Sequence, residues 1–138
     1  MAPQKLTNPQ NRRLRNPKII IDADDLAHLE ALAEGALVRN ADLANRLLEE
    51  LGRAKVLPAA KMPANVVRIG NLVTYRDESS GQERTVMLVY PEDADIAQGK
   101  VSIMTPIGVA LLGLTEGSSF HWDTRAAQRR TLTVTSVS

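Results

Sequence analysis

The chain has 138 residues, 43% of them hydrophobic, and a formal net charge of +1, which suits one compact domain with a modest appendage rather than a disordered chain. It contains no cysteine, so disulfides, thiolate metal sites and cysteine nucleophiles are excluded, and its four aromatic residues, Tyr75, Tyr90, Phe120 and Trp122, are too few for an aromatic-walled pocket or a base-stacking platform. No stretch approaches the roughly 18 consecutive apolar residues of a membrane span, and the N-terminus lacks the apolar core of a secretory signal, so a cytoplasmic location is expected.

Residues 1–18 form a basic tail. Lys5, Arg12, Arg13, Arg15 and Lys18 fall there with no acid, which leaves 12 basic against 16 acidic residues in the remainder, a net of −4. Pro3, Pro9 and Pro17 and the lack of any apolar period predict an extended segment. Arg12, Arg13 and Arg15 are candidate contacts to phosphates or to an acidic protein surface, and the plainer role is a solvated leader. A mildly acidic body argues against sequence-specific DNA binding by the body itself.

Residues 19–60 read as a short, coiled-coil-like helical hairpin. Asp22 or Asp24 caps the first helix and Asp25 complements its dipole. Leu26, Leu29, Leu32 and Ala33 give its apolar stripe, and Gly35 is the expected stop. Asn40 caps the second helix, whose stripe is Leu43, Leu47, Leu48 and Leu51; Pro58 and Pro63 end the region. Helices of about 12–15 residues, hence roughly 18–22 Å long, joined by a short connector lie antiparallel. An isolated hairpin of that length is marginal, so it must lean on the rest of the chain or on a second copy, and self-association stays open. At the tip, Glu34, Leu37 and Val38 are the residues to watch: Leu37 and Val38 are expected to fold back on the protein, and left exposed they would form a contact surface.

From residue 65 to 138 the pattern is that of strands. Leu72–Arg76 and Glu83–Tyr90 form a hairpin across the Ser79-Ser80-Gly81 turn, and an acidic loop follows at Glu92–Asp95. Val101–Ile103 is a short third strand, and Pro106 opens a short helix through Leu112 that Gly113 closes. Ser118–Trp122 and Arg129–Val137 are the last strands, the latter alternating Leu132, Val134 and Ser136 on one face with Thr131, Thr133 and Thr135 on the other. The fold class is α+β: a helical hairpin followed by a mainly antiparallel sheet with one short helix against it.

Catalytic constellations are absent from the pattern. His28 and His121 have no second histidine at metal-ligand spacing, and His28 should face solvent. No nucleophile elbow, phosphate loop or dinucleotide fingerprint occurs. The pairs Asp24-Asp25, Glu49-Glu50 and Glu92-Asp93 are explained by capping, a solvated face and a loop. No catalytic residue, no metal and no cofactor is therefore expected.

One stretch is specific. Residues 99–117 read Gly-Lys-Val-Ser-Ile-Met-Thr-Pro-Ile-Gly-Val-Ala-Leu-Leu-Gly-Leu-Thr-Glu-Gly, with Pro106 to open a helix, Gly108 to permit close backbone approach and Leu111 and Leu112 to anchor it. This run resembles the signature of the C-terminal domain of bacterial Gre transcription elongation factors. The likeness continues from about Val66 to the C-terminus. Leu88-Val89-Tyr90-Pro91, Met104, Leu114, His121-Trp122 and the Ile19-Ile20-Ile21-Asp22 start look more like the Rnk branch, the regulators of nucleoside diphosphate kinase. Two departures fall in turns: Ser118 stands where an aspartate is usual, and Thr124–Ala127 replaces a Pro-Gly-Gly turn.

The resemblance implies an FKBP-like sheet and a non-enzymatic protein that docks on RNA polymerase near its secondary channel. Matching the family's docking segment places Met104, Thr105 and Pro106 at that contact. Gre factors drive RNA cleavage with acidic residues at the tip of a long coiled coil; here the tip offers Glu34 alone, so no cleavage stimulation is expected. Two other readings follow from the likeness. One is control of nucleotide pools through contact with nucleoside diphosphate kinase. The other is prolyl isomerisation, which Phe120 and Trp122, both on the strand face opposite His121, are poorly suited to support.

Overall fold

Successive isoleucines favour an extended, buried backbone, and Ile20–Asp22 forms the first strand, β1, with Ile19 and Ile21 almost fully enclosed. The structure is a computed structural model that describes residues 16–124, 126 and 128–138. Arg12, Arg13 and Arg15, with most of the expected tail, and two residues of the Thr124–Ala127 turn lie outside the described residues.

β1 runs directly into the hairpin. Asp22, not Asp24, is the cap: its Oδ1 accepts from the Asp24 amide at 2.9 Å as α1 (Ala23–Ala36) begins. Gly35 does not stop α1, because it remains helical and the last turn closes at Leu37. Asn40 caps α2 (Ala41–Arg53), accepting from the Leu43 amide. Leu29, Ala33, Leu43, Leu47 and Leu51 are buried between the helices, as the 3/4 spacing requires. The tip departs from expectation: Val38 is 92% exposed and Leu37 38%, so neither folds back. With only residues 37–40 between the helices, the turn is too tight to return those side chains to the core.

After α2 comes β2 (Lys55–Leu57), which pairs parallel with β1. This two-stranded ribbon sits at the base of the hairpin and was not foreseen, since three-residue strands carry no period. Its order follows from the hairpin, which brings the chain back to where it left and lays the exit beside the entry.

The main sheet has the order β5-β4-β3-β7-β6, formed by β3 (Leu72–Asp77), β4 (Glu83–Val89), β5 (Lys100–Ser102), β6 (Ser119–Asp123) and β7 (Arg129–Val137). Three of its pairings are antiparallel, but β5 lies parallel to β4. Residues 90–99, coiled in two 3-10 turns, carry the chain back along β4, so β5 runs parallel to it within a sheet that is otherwise antiparallel, as expected. A register shift between Thr74 and Tyr75 also changes the end of β7. Leu132 and Val134 face inward as alternation predicts, whereas Ser136 turns out to solvent and Val137 packs on the core instead.

α3 (Pro106–Leu111) crosses the inner face, burying Val109, Ala110 and Leu111 against Val73, Val86, Leu88, Phe120, Leu132 and Val134. Those residues form one continuous core with Ile19, Ile21, Leu29 and Leu47 of the hairpin, so the hairpin leans on the sheet rather than standing alone. Each such fully buried aliphatic contributes about 1.5–3 kcal/mol.

Two glycines make that packing possible. A Cβ on Gly108 would lie 2.2 Å from the Ser102 carbonyl oxygen and 2.8 Å from the Ile103 backbone. Gly113 has φ +77°, and a Cβ there would lie 2.7 Å from the Ile19 Cβ. The Gly113 carbonyl accepts from the Ile20 amide at 3.0 Å, while its own amide donates to the Val67 carbonyl at 3.0 Å.

Gly108→Ala is expected to cost roughly 3 kcal/mol or more, since the colliding atoms are backbone, and denaturant titration followed by Trp122 emission measures it. Arg68→Ala strips the partner from Asp22, which is 5% exposed, and is expected to cost about 2–3 kcal/mol, moderated because Arg68 itself is a third exposed. An Arg68→Ala midpoint equal to that of the unaltered chain would show that the cap alone satisfies Asp22.

Candidate functional site

The turn between β5 and α3 is braced by its own side chains. Ser102 Oγ accepts from the Met104 amide at 2.9 Å. Thr105 Oγ1 donates to the Ser102 carbonyl at 2.8 Å and accepts from the Gly108 amide at 3.0 Å, so Thr105 is the cap of α3. Pro106 occupies the first helical turn, where its missing N–H costs nothing, and its ring is exposed. Met104 is half-buried and packs against the core, a structural use that the sequence did not suggest.

This turn is a ridge between two clefts. On one side a cleft of about 430 Å³ opens between α3 and the β4–β5 edge, lined by Tyr75, Arg84, Ile96, Val101, Thr105 and Ile107. Ile96 is 89% exposed at its rim. Tyr75 is its one aromatic wall. Phe120 lies in the core instead, and Trp122 lines the other cleft.

That second cleft, about 480 Å³, lies between the hairpin and the sheet, with Asn40, Arg46, Pro106 and Trp122 among its walls. Arg46 spans it. Its Nη2 donates to the Pro106 carbonyl at 2.7 Å, and its guanidinium carbon lies 5.5 Å from the Trp122 ring centre and 5.9 Å from that of Phe120. Burial pushes its pKa down from the ordinary arginine range, and among the described residues it forms no ion pair. Sequence reasoning missed Arg46, although its place three residues after Leu43, flanking the apolar stripe, marks it as facing another element.

Other contacts fix the hairpin on the sheet. The Tyr90 hydroxyl donates to Asp25 Oδ1 at 3.4 Å, and the exposed His28 stacks on the Tyr90 ring with centroids 4.1 Å apart. Burial, then the charge of Asp25, push the Tyr90 pKa up to about 12; burial, then the charge of Asp22, raise that of Asp25. Asn16, placed in the tail by sequence, clasps the edge of β6: its Oδ1 accepts from the His121 amide at 2.7 Å and its Nδ2 donates to the His121 carbonyl at 3.0 Å. The Asn16 carbonyl accepts from Arg53, whose other nitrogen pairs with the buried Glu50 at 2.8 Å. His121 Nδ1 meets Thr131 Oγ1 at 2.9 Å, which gives that ring a structural partner. Among the described residues no cluster of His, Asp and Glu is arranged to hold a metal ion, and Glu34 stands exposed on the hairpin away from any such group.

Comparison with known proteins then fits the geometry. The family described as transcription elongation factor GreA/GreB, C-term, matches residues 62–138, and the family described as Rnk N-terminus matches residues 17–57. The regulator of nucleoside diphosphate kinase of Escherichia coli K12 is 36% identical over 110 residues, covering 80% of this chain and 81% of that one. The transcription elongation factor GreA of Azorhizobium caulinodans is 33% identical over 91 residues, 66% of this chain but only 54% of its own length. The solved structure of a prokaryotic transcription elongation factor GreA/GreB from Nitrosomonas europaea superposes with a TM-score of 0.68 at 35% identity, over 88% of this chain and 98% of that one.

Because neutral Tyr90 is favoured in the fold, its stabilising effect is present below the ordinary tyrosine pKa of 10 and is lost as pH rises from there through about 12. Alkaline difference spectroscopy should show Tyr90 ionising near 12, and Tyr90→Phe should remove that phase. A Tyr90 phase at 10 would mean that the hairpin contact does not hold in solution.

Proposed function

The chain belongs to the GreA/GreB transcription elongation factor family with an Rnk-type N-terminal segment, and from that premise we propose that it is a non-catalytic regulator that docks on RNA polymerase near the secondary channel without stimulating transcript cleavage. The observation that carries this reading is the Met104–Thr105–Pro106 ridge. By the family resemblance it corresponds to the segment by which Gre factors contact polymerase; it is braced internally by Ser102 and Thr105, and it presents the exposed Pro106 between two clefts. A rigid, exposed, partly apolar ridge loses little conformational entropy on binding. Ile96 at the rim of the neighbouring cleft extends the apolar surface.

Cleavage stimulation is a separate matter of reach and charge. Helices of 14 and 13 residues span only about 20 Å, and the tip presents Glu34 beside Val38 and Arg39 rather than a pair of carboxylates. The sheet is read as FKBP-like, a curled sheet cupping one short helix. The single aromatic wall of the cleft beside α3 is a poor setting for a prolyl ring, so no isomerase activity is expected. Action in the cytoplasm, where polymerase resides, accompanies this reading; no described helix is long and apolar enough to cross a membrane. A second reading, direct contact with nucleoside diphosphate kinase, draws on the name of the Escherichia coli relative.

Binding of the purified protein to core RNA polymerase, with a Gre factor as competitor, tests the proposal. Mutual displacement without RNA cleavage is expected, and Met104→Ala with Pro106→Ala should weaken binding about tenfold, about 1.4 kcal/mol. Because Met104 packs on the core, the variant is expected to unfold at a lower temperature, and thermal unfolding checks that it is folded at the assay temperature. No displacement at micromolar concentration would overturn it, and a pull-down with nucleoside diphosphate kinase would then judge the second reading.

A further inference from the structure

Arg46 is a cation in an unusual position. Its guanidinium lies against two aromatic rings, it is partly desolvated, and its Nε is buried without a partner. The carboxylate whose charge reaches it is Glu50, and that group is already bound by Arg53. Among the described residues its one hydrogen bond goes to a neutral carbonyl, that of Pro106. An arginine held this way faces a cleft with no ion pair among the described residues and with its orientation fixed by the Pro106 carbonyl and the two rings, a setting suited to receiving a carboxylate.

From this we infer that the cleft between α2 and the sheet is a second contact point on the polymerase partner, in which Arg46 and the Trp122 ring receive a single acidic side chain. The inference rests on the docking proposal above and deepens it, because Pro106 is both the ridge and a wall of this cleft. Arg46 lies beside the ridge, bonded to the Pro106 carbonyl. Charge balance selects a lone carboxylate over a phosphate ligand. Asp42 and Asp123 also line the cleft, and Asp123 is already held by Arg129 at 2.6 Å. A diphosphate would bring several negative charges against those two acids, whereas a lone carboxylate adds one, which Arg46, without an ion pair among the described residues, can receive.

Binding to core RNA polymerase is measured for the full chain, for Arg46→Gln and Arg46→Lys, and for Asn40→Asp. Asn40→Asp adds a negative charge to the cleft wall and keeps the helix cap, since aspartate caps as well as asparagine. Arg46→Gln and Asn40→Asp are each expected to weaken binding at least fivefold and to lessen its sensitivity to salt, with Arg46→Lys between them and the unaltered chain. Asn40→Asp carries the test if Arg46→Gln fails to fold. If the chain binds, and the Met104/Pro106 variant weakens it while both cleft variants bind normally, the cleft inference is overturned and the docking proposal stands. If the unaltered chain does not bind polymerase, both are overturned. Trp122 is the sole tryptophan and lines the cleft, so in the folded protein its emission reports on the cleft wall. Titration with a nucleoside diphosphate is expected to leave it unchanged, and a saturable quench that Arg46→Gln abolishes would replace the acidic side chain with a phosphate ligand.

Discussion

The joint at Gly113 is the constraint on which the rest of the structure depends. There the end of the α3 segment, the first strand of the hairpin and the Val67 backbone meet within hydrogen-bonding distance. Ile19 fills the space that any side chain at position 113 would need. A residue with a Cβ would therefore push β1 away and meet an unfavourable positive φ as well. Because β1 leads directly into the Asp22 cap, and β2 returns alongside it, the angle at which the helices leave the sheet is decided at this point.

Polar contacts around that joint then hold the hairpin in place. Asp22 serves α1 as cap and Arg68 as ion-pair partner, so one carboxylate joins the two halves of the molecule. Tyr90 reaches Asp25 from one side, Arg46 reaches Pro106 from another, and Asn16 ties the end of α2 through Arg53 to the free edge of β6. That last contact also covers part of an edge strand that would otherwise offer unpaired backbone to other chains. The core beneath is continuous, which explains how helices of three to four turns persist without a coiled-coil partner.

The proposed docking surface follows from the same packing. Gly108 lets α3 approach the β5 turn so closely that Thr105 and Ser102 can brace it, and the result is a ridge rather than a flexible loop. The second cleft exists only because α2 is held beside that ridge. In this arrangement the hairpin serves less as a probe reaching outward than as one wall of a surface shared with the sheet.

Much of this was legible in the residues. Periodicity marked both helices and their buried leucines, capping chemistry marked Asn40, and the ordered run from Pro106 to Gly113 marked the short helix, because those signals are local and each has a steric cause. The direction of β5, the β1–β2 ribbon and the outward turn of Ser136 were not, since each depends on which backbone lies alongside. The exposure of Val38 and the packing of Met104 were hidden for the same reason: an apolar side chain states a preference, and the neighbours decide whether it is met. Arg46 is the sharpest case. By sequence it is one charged residue on an amphipathic helix, and only tertiary packing, by setting two aromatic rings and a proline carbonyl around it, makes it a partly desolvated cation facing a cleft.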